Sequence, residues 1–239
     1  MKEEKLIKSV QRVKDHGEVF TPDRIVKQML DQKEFRPGLT SLTATILEPA
    51  AGEGAFLTEV LIRKLSLADR LSTSIDAYGQ NALIALASLY GIELLVDNTE
   101  LLVMHMYHVF YREYARQVKR YRSTENPKII KSAMVIIKSN MVQGDALTGK
   151  NKDDKDIIFS EWKLLPTVRG VQKIQRTEYT LDAIMHDGPS LDGKLQMHGV
   201  EQISLFELND GSGGEVCYKY APVKVVDVYK ETKIEVKAT

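Results

Sequence analysis

A mixed α/β fold built on a doubly wound, mostly parallel sheet is predicted for this 239-residue chain by three observations. Short β-branched segments alternate with long stretches of helical apolar period. The first of those segments runs into a glycine-containing turn and then a helix, in the strand, turn, helix order of a ligand-binding α/β unit. Acids stand at the ends of three successive predicted strands: Glu48, Glu93 and Asp145.

In chain order, residues 1–16 are charged, with Leu6, Ile7, Val10 and Val13 at helical spacing, which predicts an amphipathic lead-in helix. A second helix is predicted from Pro22 to about Asp31, with Thr21 as its cap and Pro22 at its first position. Thr43–Glu48 is the first strand, and FLTEVLIRKL the helix after the glycine turn. Residues 69–90 read as mainly helical, YGIEL at 90–94 as a second strand, and Asn98 to Tyr121 as a long helix with its basic residues towards the end. Met134–Ile137 is the third strand candidate and Asp156–Phe159 the fourth. From Asp187 the chain turns rich in Gly, Ser and Asp, so residues 1–187 are expected to form the main domain. Residues 188–239 form a small irregular or β extension, whose last stretch alternates like one or two strands.

The 33 basic and 33 acidic residues balance, so any contact with a polyanion must come from a local patch rather than from the field of the whole molecule. A single cysteine excludes an internal disulfide and a cysteine-rich zinc site, which fits a reducing cytosol. No run of residues approaches the roughly 20 apolar positions that cross a bilayer, and the charged N-terminus has no signal core, so a cytoplasmic chain without membrane contact is expected.

Chemistry concentrates in Ile46–Phe56, ILEPAAGEGAF. Gly52 and Gly54 let the backbone of a strand-to-helix turn approach a ligand where side chains would block it. The third glycine of a dinucleotide fingerprint is replaced by Phe56 and Leu57, which argues against a pyrophosphate cofactor and so against a nicotinamide enzyme. At strand ends Glu93 can accept from ribose hydroxyls and Asp145 from an adenine amino group; alone, each is also an ordinary strand-end or turn acid.

GEVFTP (17–22), LEPAAGEGAF (47–56), YGIEL (90–94) and GDAL (144–147) resemble, in the same order, the successive motifs of adenine-specific DNA methyltransferases of the restriction-modification type, particularly their modification subunits. The likeness covers about the first 150 residues. It implies a Rossmann-like fold that binds S-adenosylmethionine, with Phe20, Thr21 and Pro22 cradling the methionine part and the ring. Glu48, Pro49, Ala50, Gly52 and Gly54 would line the cofactor, Glu93 would hold the ribose and Asp145 the adenine.

The chain departs from that family in its catalytic signature, an Asn or Asp followed by Pro-Pro and an aromatic residue, because it contains no Pro-Pro pair. That tetrapeptide accepts the target amino hydrogens and stacks on a base flipped from the duplex. Glu161 and Trp162 stand at the corresponding place, as an acceptor and a stacking ring, or with Trp162 simply closing the core as large aromatics usually do. Family members append a long target-recognition domain or work with a specificity subunit, and the tail is expected to be too short for such a domain, so the resemblance implies either a degenerate relative or one part of a multi-subunit enzyme with a specificity or second subunit.

Arg112, Arg116, Lys119, Arg120 and Arg122, interleaved with tyrosines, form a stripe that can track a DNA backbone or can merely be a solvated helix end. His105 and His108 have metal-binding spacing but no Glu or Cys to complete a ligand set, so no metal site is expected. Gln202, Leu205 and Phe206 lie in QISLF, which is similar to the peptide that docks bacterial DNA-processing proteins on the replication sliding clamp; the same alternation also suits an edge strand.

Overall fold

Strand and helix alternate from the first β segment through the third. The structure, a computed structural model, describes residues 8–16, 18–192 and 217–236. The helices are α1 Val10–His16, α2 Asp23–Leu30, α3 Arg36–Leu39, α4 Ala55–Arg70, α5 Ile75–Ala87, α6 Val96–Arg120, α7 Pro127–Asn140 and α8 Leu181–Met185. Strands β1 Ile46–Glu48, β2 Leu89–Glu93 and β3 Met141–Gln143 form one parallel sheet in the order β1-β2-β3. Strands β4 Ile158–Leu164, β5 Lys173–Thr180 and β7 Val223–Lys224 form a separate antiparallel sheet, and β6 Cys217–Tyr220 pairs with β8 Lys233–Val236. No described helix is long and apolar enough to cross a membrane.

The two faces of the parallel sheet bury different partners because successive side chains on a strand point to opposite sides. Leu89 and Met141 join the main core with Leu57, Leu61 and Leu102 of α4 and α6. Tyr90, Ile92 and Val142 join a second, smaller core with Ile157, Phe159 and Leu181. Gly91 sits on the helix side of β2, where an added Cβ would come within 2.8 Å of Leu57 Cδ1 and 3.3 Å of Leu102 Cδ2. The helices can approach β2 only because that side chain is missing. Gly91→Ala is accordingly expected to lower unfolding free energy by about 1 to 2 kcal/mol through overpacking. Urea denaturation checks this, and an unchanged midpoint would show that α4 moves aside freely.

Several expectations are corrected. Met134–Ile137 is not a strand; it lies inside α7, which Asn126 caps by accepting from Lys128 N at 3.0 Å and which Pro127 starts. Ile129, Ala133, Ile136 and Ile137 repeat at helical period and are buried, so the third strand begins only at Met141. The predicted fourth strand exists as β4, but it pairs antiparallel with β5 instead of extending the parallel sheet. The order of the parallel strands therefore never reverses among the described residues, and the doubly wound pattern is represented by one winding. Thr21 does not cap α2; Pro22 takes the cap position, its carbonyl accepting from Ile25 N at 2.8 Å and Val26 N at 3.1 Å.

Two of the described residues beyond 187 reach the main core. Val225 and Val228 are buried in the main core, and Ser132 Oγ on α7 donates to the Val226 carbonyl at 3.0 Å. Gln202, Leu205 and Phe206 lie outside the described residues.

Candidate functional site

At the C-terminal ends of the parallel strands the backbone turns sharply, and the two predicted glycines have the geometry that only glycine adopts easily. Gly52 has φ of 54° and Gly54, the cap of α4, has φ of 93°. Any Cβ on Gly54 would also lie 2.6 Å from Leu102 Cδ1. The turn is tied to the sheet by Ala51 N donating to the Ile92 carbonyl at 2.9 Å and closes on itself through Gly54 N to the Ala51 carbonyl at 2.9 Å.

Beside this turn lies a cleft of about 660 Å³, bounded by the 19–23 segment and α2, the glycine turn, the start of α4 and one face of α6. Among the predicted cofactor residues, Phe20, Thr21, Pro22, Glu48, Ala50 and Gly52 line it together. Two segments separated by about 25 residues of sequence thus meet across one cavity, as the motif order implied. Burial pushes the Glu48 carboxyl above its ordinary range, opposed by a hydrogen bond from the Ala50 backbone. The α6 wall is His105, His108, Val109 and Arg112, residues the sequence had placed in other roles or none. Their common face follows from helical spacing, which was the available signal. His105 Nδ1 lies 2.8 Å from the Glu53 carbonyl, so it is the protonated nitrogen there and fastens α6 to the turn.

The structure places the Glu93 carboxylate against the glycine turn. Glu93 is buried, and its carboxylate accepts from Gly52 N at 2.8 Å, Leu95 N at 3.0 Å and Asn98 Nδ2 at 3.2 Å. Those bonds face the glycine turn and the start of α6, and Glu93 is not a lining residue of the cleft. A carboxylate offers about four acceptor sites, so three are spent on holding the turn in place. Asn98 extends the network outward, donating to Glu18 Oε1 at 2.6 Å. Arg12 binds both Glu18 and Asp97, and Lys8 bridges to Glu53 at 2.8 Å. The Arg12 guanidinium holds the Glu18 carboxyl below the usual carboxylate range. The lead-in segment is thereby strapped over the end of β2.

Asp145 is adjacent to Gly144, whose N–H donates to the Glu93 carbonyl oxygen at 2.9 Å, so the third strand end does reach the second. Its own side chain turns away and accepts from Leu147 N at 2.8 Å in a local Asx turn, outside the cleft lining. Pro49 and Gly54 flank the cleft in sequence without lining it.

Glu161 and Trp162 are not brought to this cleft. Trp162 packs against the main core, donates Nε1–H to Asn140 Oδ1 at 2.9 Å and lies under Arg176, whose guanidinium carbon is 5.2 Å from the indole centroid and 4.2 Å from that of Tyr220. Trp162 closes the core, the role large aromatics usually fill. In the basic stripe, Arg112 and Arg116 pair with Glu113, and Arg120 pairs with Asp69 at 2.7 Å. Those pairs are exposed, so they leave the arginines free to exchange partners at little cost.

Comparison with known proteins gives a concordant result for the half of the molecule that holds the cleft. A family model described as N-6 DNA Methylase matches residues 4–154, more than half the chain and all of the elements named above as far as the Asp145 turn. No curated protein and no solved structure matches. On the strength of that match, which spans the FTP segment, the glycine turn and all three parallel strands, the chain belongs to the N-6 DNA methylase family, a family of DNA methyltransferases.

Proposed function

We propose that the cleft binds S-adenosylmethionine and that this chain is the cofactor-binding part of an adenine-specific DNA methyltransferase of the restriction-modification type, working with a partner subunit. The observation that carries the reading is the meeting of Phe20, Thr21 and Pro22 with Glu48, Ala50 and Gly52 around one cavity. The group fits these residues in three respects. The glycine turn exposes bare backbone, Phe20 offers an aromatic face, and Glu48 offers a partly desolvated carboxylate to a ligand with sulfonium and ammonium charges. When bound, the cofactor would supply an electrophilic methyl group. The protein's own contribution would be to orient it: Glu93 fixes the turn, His105 fixes the α6 wall, and Glu48 would offer its carboxylate to the ligand's positive charge.

Calorimetry with S-adenosylmethionine tests the reading. Because Glu48 titrates above the ordinary carboxylate range, affinity for the cation is expected to fall as pH drops through that titration, and Glu48→Gln should flatten the profile and weaken binding about tenfold at neutral pH. Absence of binding by the wild type would remove the cofactor from the cleft.

The missing Pro-Pro pair favours a second reading, a methyltransferase-like module that binds cofactor or DNA without catalysing and docks on a sliding clamp through Gln202, Leu205 and Phe206. Transfer of labelled methyl groups to DNA, by the chain alone and with any co-purifying subunit, separates the two.

A further inference from the structure

A hydrogen-bonded network that begins in the lead-in segment ends on the glycine turn. Asn98, 1% exposed near the start of α6, spends its side-chain amide on two carboxylates: Nδ2 donates to Glu18 Oε1 at 2.6 Å and to Glu93 Oε1 at 3.2 Å. Two acids therefore share one nitrogen. Glu93 brings no cation with it, for its three partners are all neutral amides. Like charges set this close oppose each other unless a cation stands beside them.

The cations come from the lead-in segment. Arg12 Nη2 donates to Glu18 Oε1 at 2.9 Å and to Asn98 Oδ1 at 3.3 Å. Lys8 Nζ also donates to Asn98 Oδ1, bridges to Glu53 Oε1 on the glycine turn at 2.8 Å and lies 5.9 Å from the centroid of the Phe20 ring. Glu53 and Phe20 line the cleft from the turn and from the 19–23 segment, so one ammonium stands against both.

Exposed ion pairs contribute little, and those from Arg12 and Lys8 to Asp97, whose side chain is 54% exposed, are of that kind. The Arg12–Glu18 pair differs because the Glu18 side chain is only 7% exposed. Removing the cation from a buried carboxylate leaves a charge that must find water or a proton. Glu18 opens the segment that carries Phe20, Thr21 and Pro22, while Glu93 holds Gly52 N. The consequence of that loss falls on both sides of the cleft.

We infer that Arg12 and Lys8 are positioning residues for the cleft: by neutralising Glu18 and, across Asn98, Glu93, they hold the 18–22 segment and the glycine turn at the separation a ligand meets. The inference rests on the reading above only in taking S-adenosylmethionine as its probe.

Arg12→Ala, Arg12→Lys and Lys8→Ala would be compared with the unaltered full chain by amide hydrogen exchange without ligand and by calorimetry with S-adenosylmethionine. Exchange at the Gly52 and Leu95 amides, the two that Glu93 holds, is expected to quicken about tenfold in Arg12→Ala and about threefold in Lys8→Ala. The Leu61 and Leu65 amides, on the buried face of α4, should keep the rate of the unaltered chain. A role confined to overall stability would quicken all four together, and that result would overturn the inference. Arg12→Lys keeps the cation and should return the turn to within about threefold of the original rate. Cofactor affinity should fall about tenfold in Arg12→Ala. Unchanged exchange at Gly52 and Leu95 would overturn the inference, as would full affinity in that variant where the unaltered chain binds. An unaltered chain that binds no cofactor sinks the cofactor reading alone, because exchange at the turn is read with no ligand present and still decides the inference.

Discussion

Replacing Glu93 with alanine is expected to destabilise the folded chain by about 3 kcal/mol, the upper range for removing a buried charged acceptor that satisfies several donors. Three donors lose their partner at once: Gly52 N, Leu95 N and Asn98 Nδ2. Two are backbone amides at the most constrained points of the site, the turn where Gly52 already holds a left-handed conformation and the residue before α6. Glu93→Gln should cost nearly as much, because its amide nitrogen would face donors with a donor. Urea denaturation gives the stability change. A ligand assay then distinguishes this buttress from the ribose acceptor that the sequence suggested. A loss below about 1 kcal/mol, with cofactor affinity reduced all the same, would return Glu93 to direct ligand contact.

Glu93 also marks where sequence reasoning stops. An acid at the end of the second strand was legible from YGIEL, but which way its carboxylate turns depends on Gly52, forty-one residues away. Asp145 differs in that a local turn engages its side chain, an alternative that the neighbours GDAL were enough to suggest. The glycine turn and the FTP segment were legible because close backbone approach demands particular residue types. The α6 wall was hidden because His105, His108 and Arg112 were weighed for metal and DNA rather than as one helical face.

The sheet was legible only in part, for reasons of length and pairing. Four apolar residues at 134–137 fit a strand as well as a helix; the deciding evidence was the Asn126-Pro127 start, which commits the segment to a fourteen-residue helix. Strand β4 was located, but its neighbour is set by a hairpin whose turn signal is Arg169-Gly170. Both residues have positive φ, 49° and 74°, and Val168 and Val171 exchange backbone hydrogen bonds across them. That is the geometry of a two-residue hairpin turn, in which a non-glycine first position gives little warning. Strand β4 pairs with β5, and among the described residues it does not pair with β1.

Stability should rise with pH between about 8 and 10 and then fall, and Lys64 should account for the rise. Lys64 is fully buried on α4, where its ammonium donates to the Ala44 carbonyl at 2.6 Å and to Ser88 Oγ at 2.7 Å. It thereby ties the approach to β1 to the residue just before β2. Only neutral oxygens meet the charge, and burial pushes its pKa down to about 8. The unfolded lysine keeps its ordinary value near 10.4, so between these limits the unfolded chain binds more protons than the folded one and each step upward in pH favours folding. The gain is of order 2 kcal/mol, complete once the unfolded lysine also deprotonates and absent below pH 8, where both states are charged. Tyr78 and Tyr90 oppose it: burial pushes their hydroxyls above the ordinary tyrosine range, so from about pH 10 the unfolded chain sheds protons that the folded one retains. Urea midpoints taken at pH 7, 8, 9 and 10 read the balance. In Lys64→Met the rise should vanish while the alkaline fall persists, and a rise surviving in that variant would assign the effect to another group.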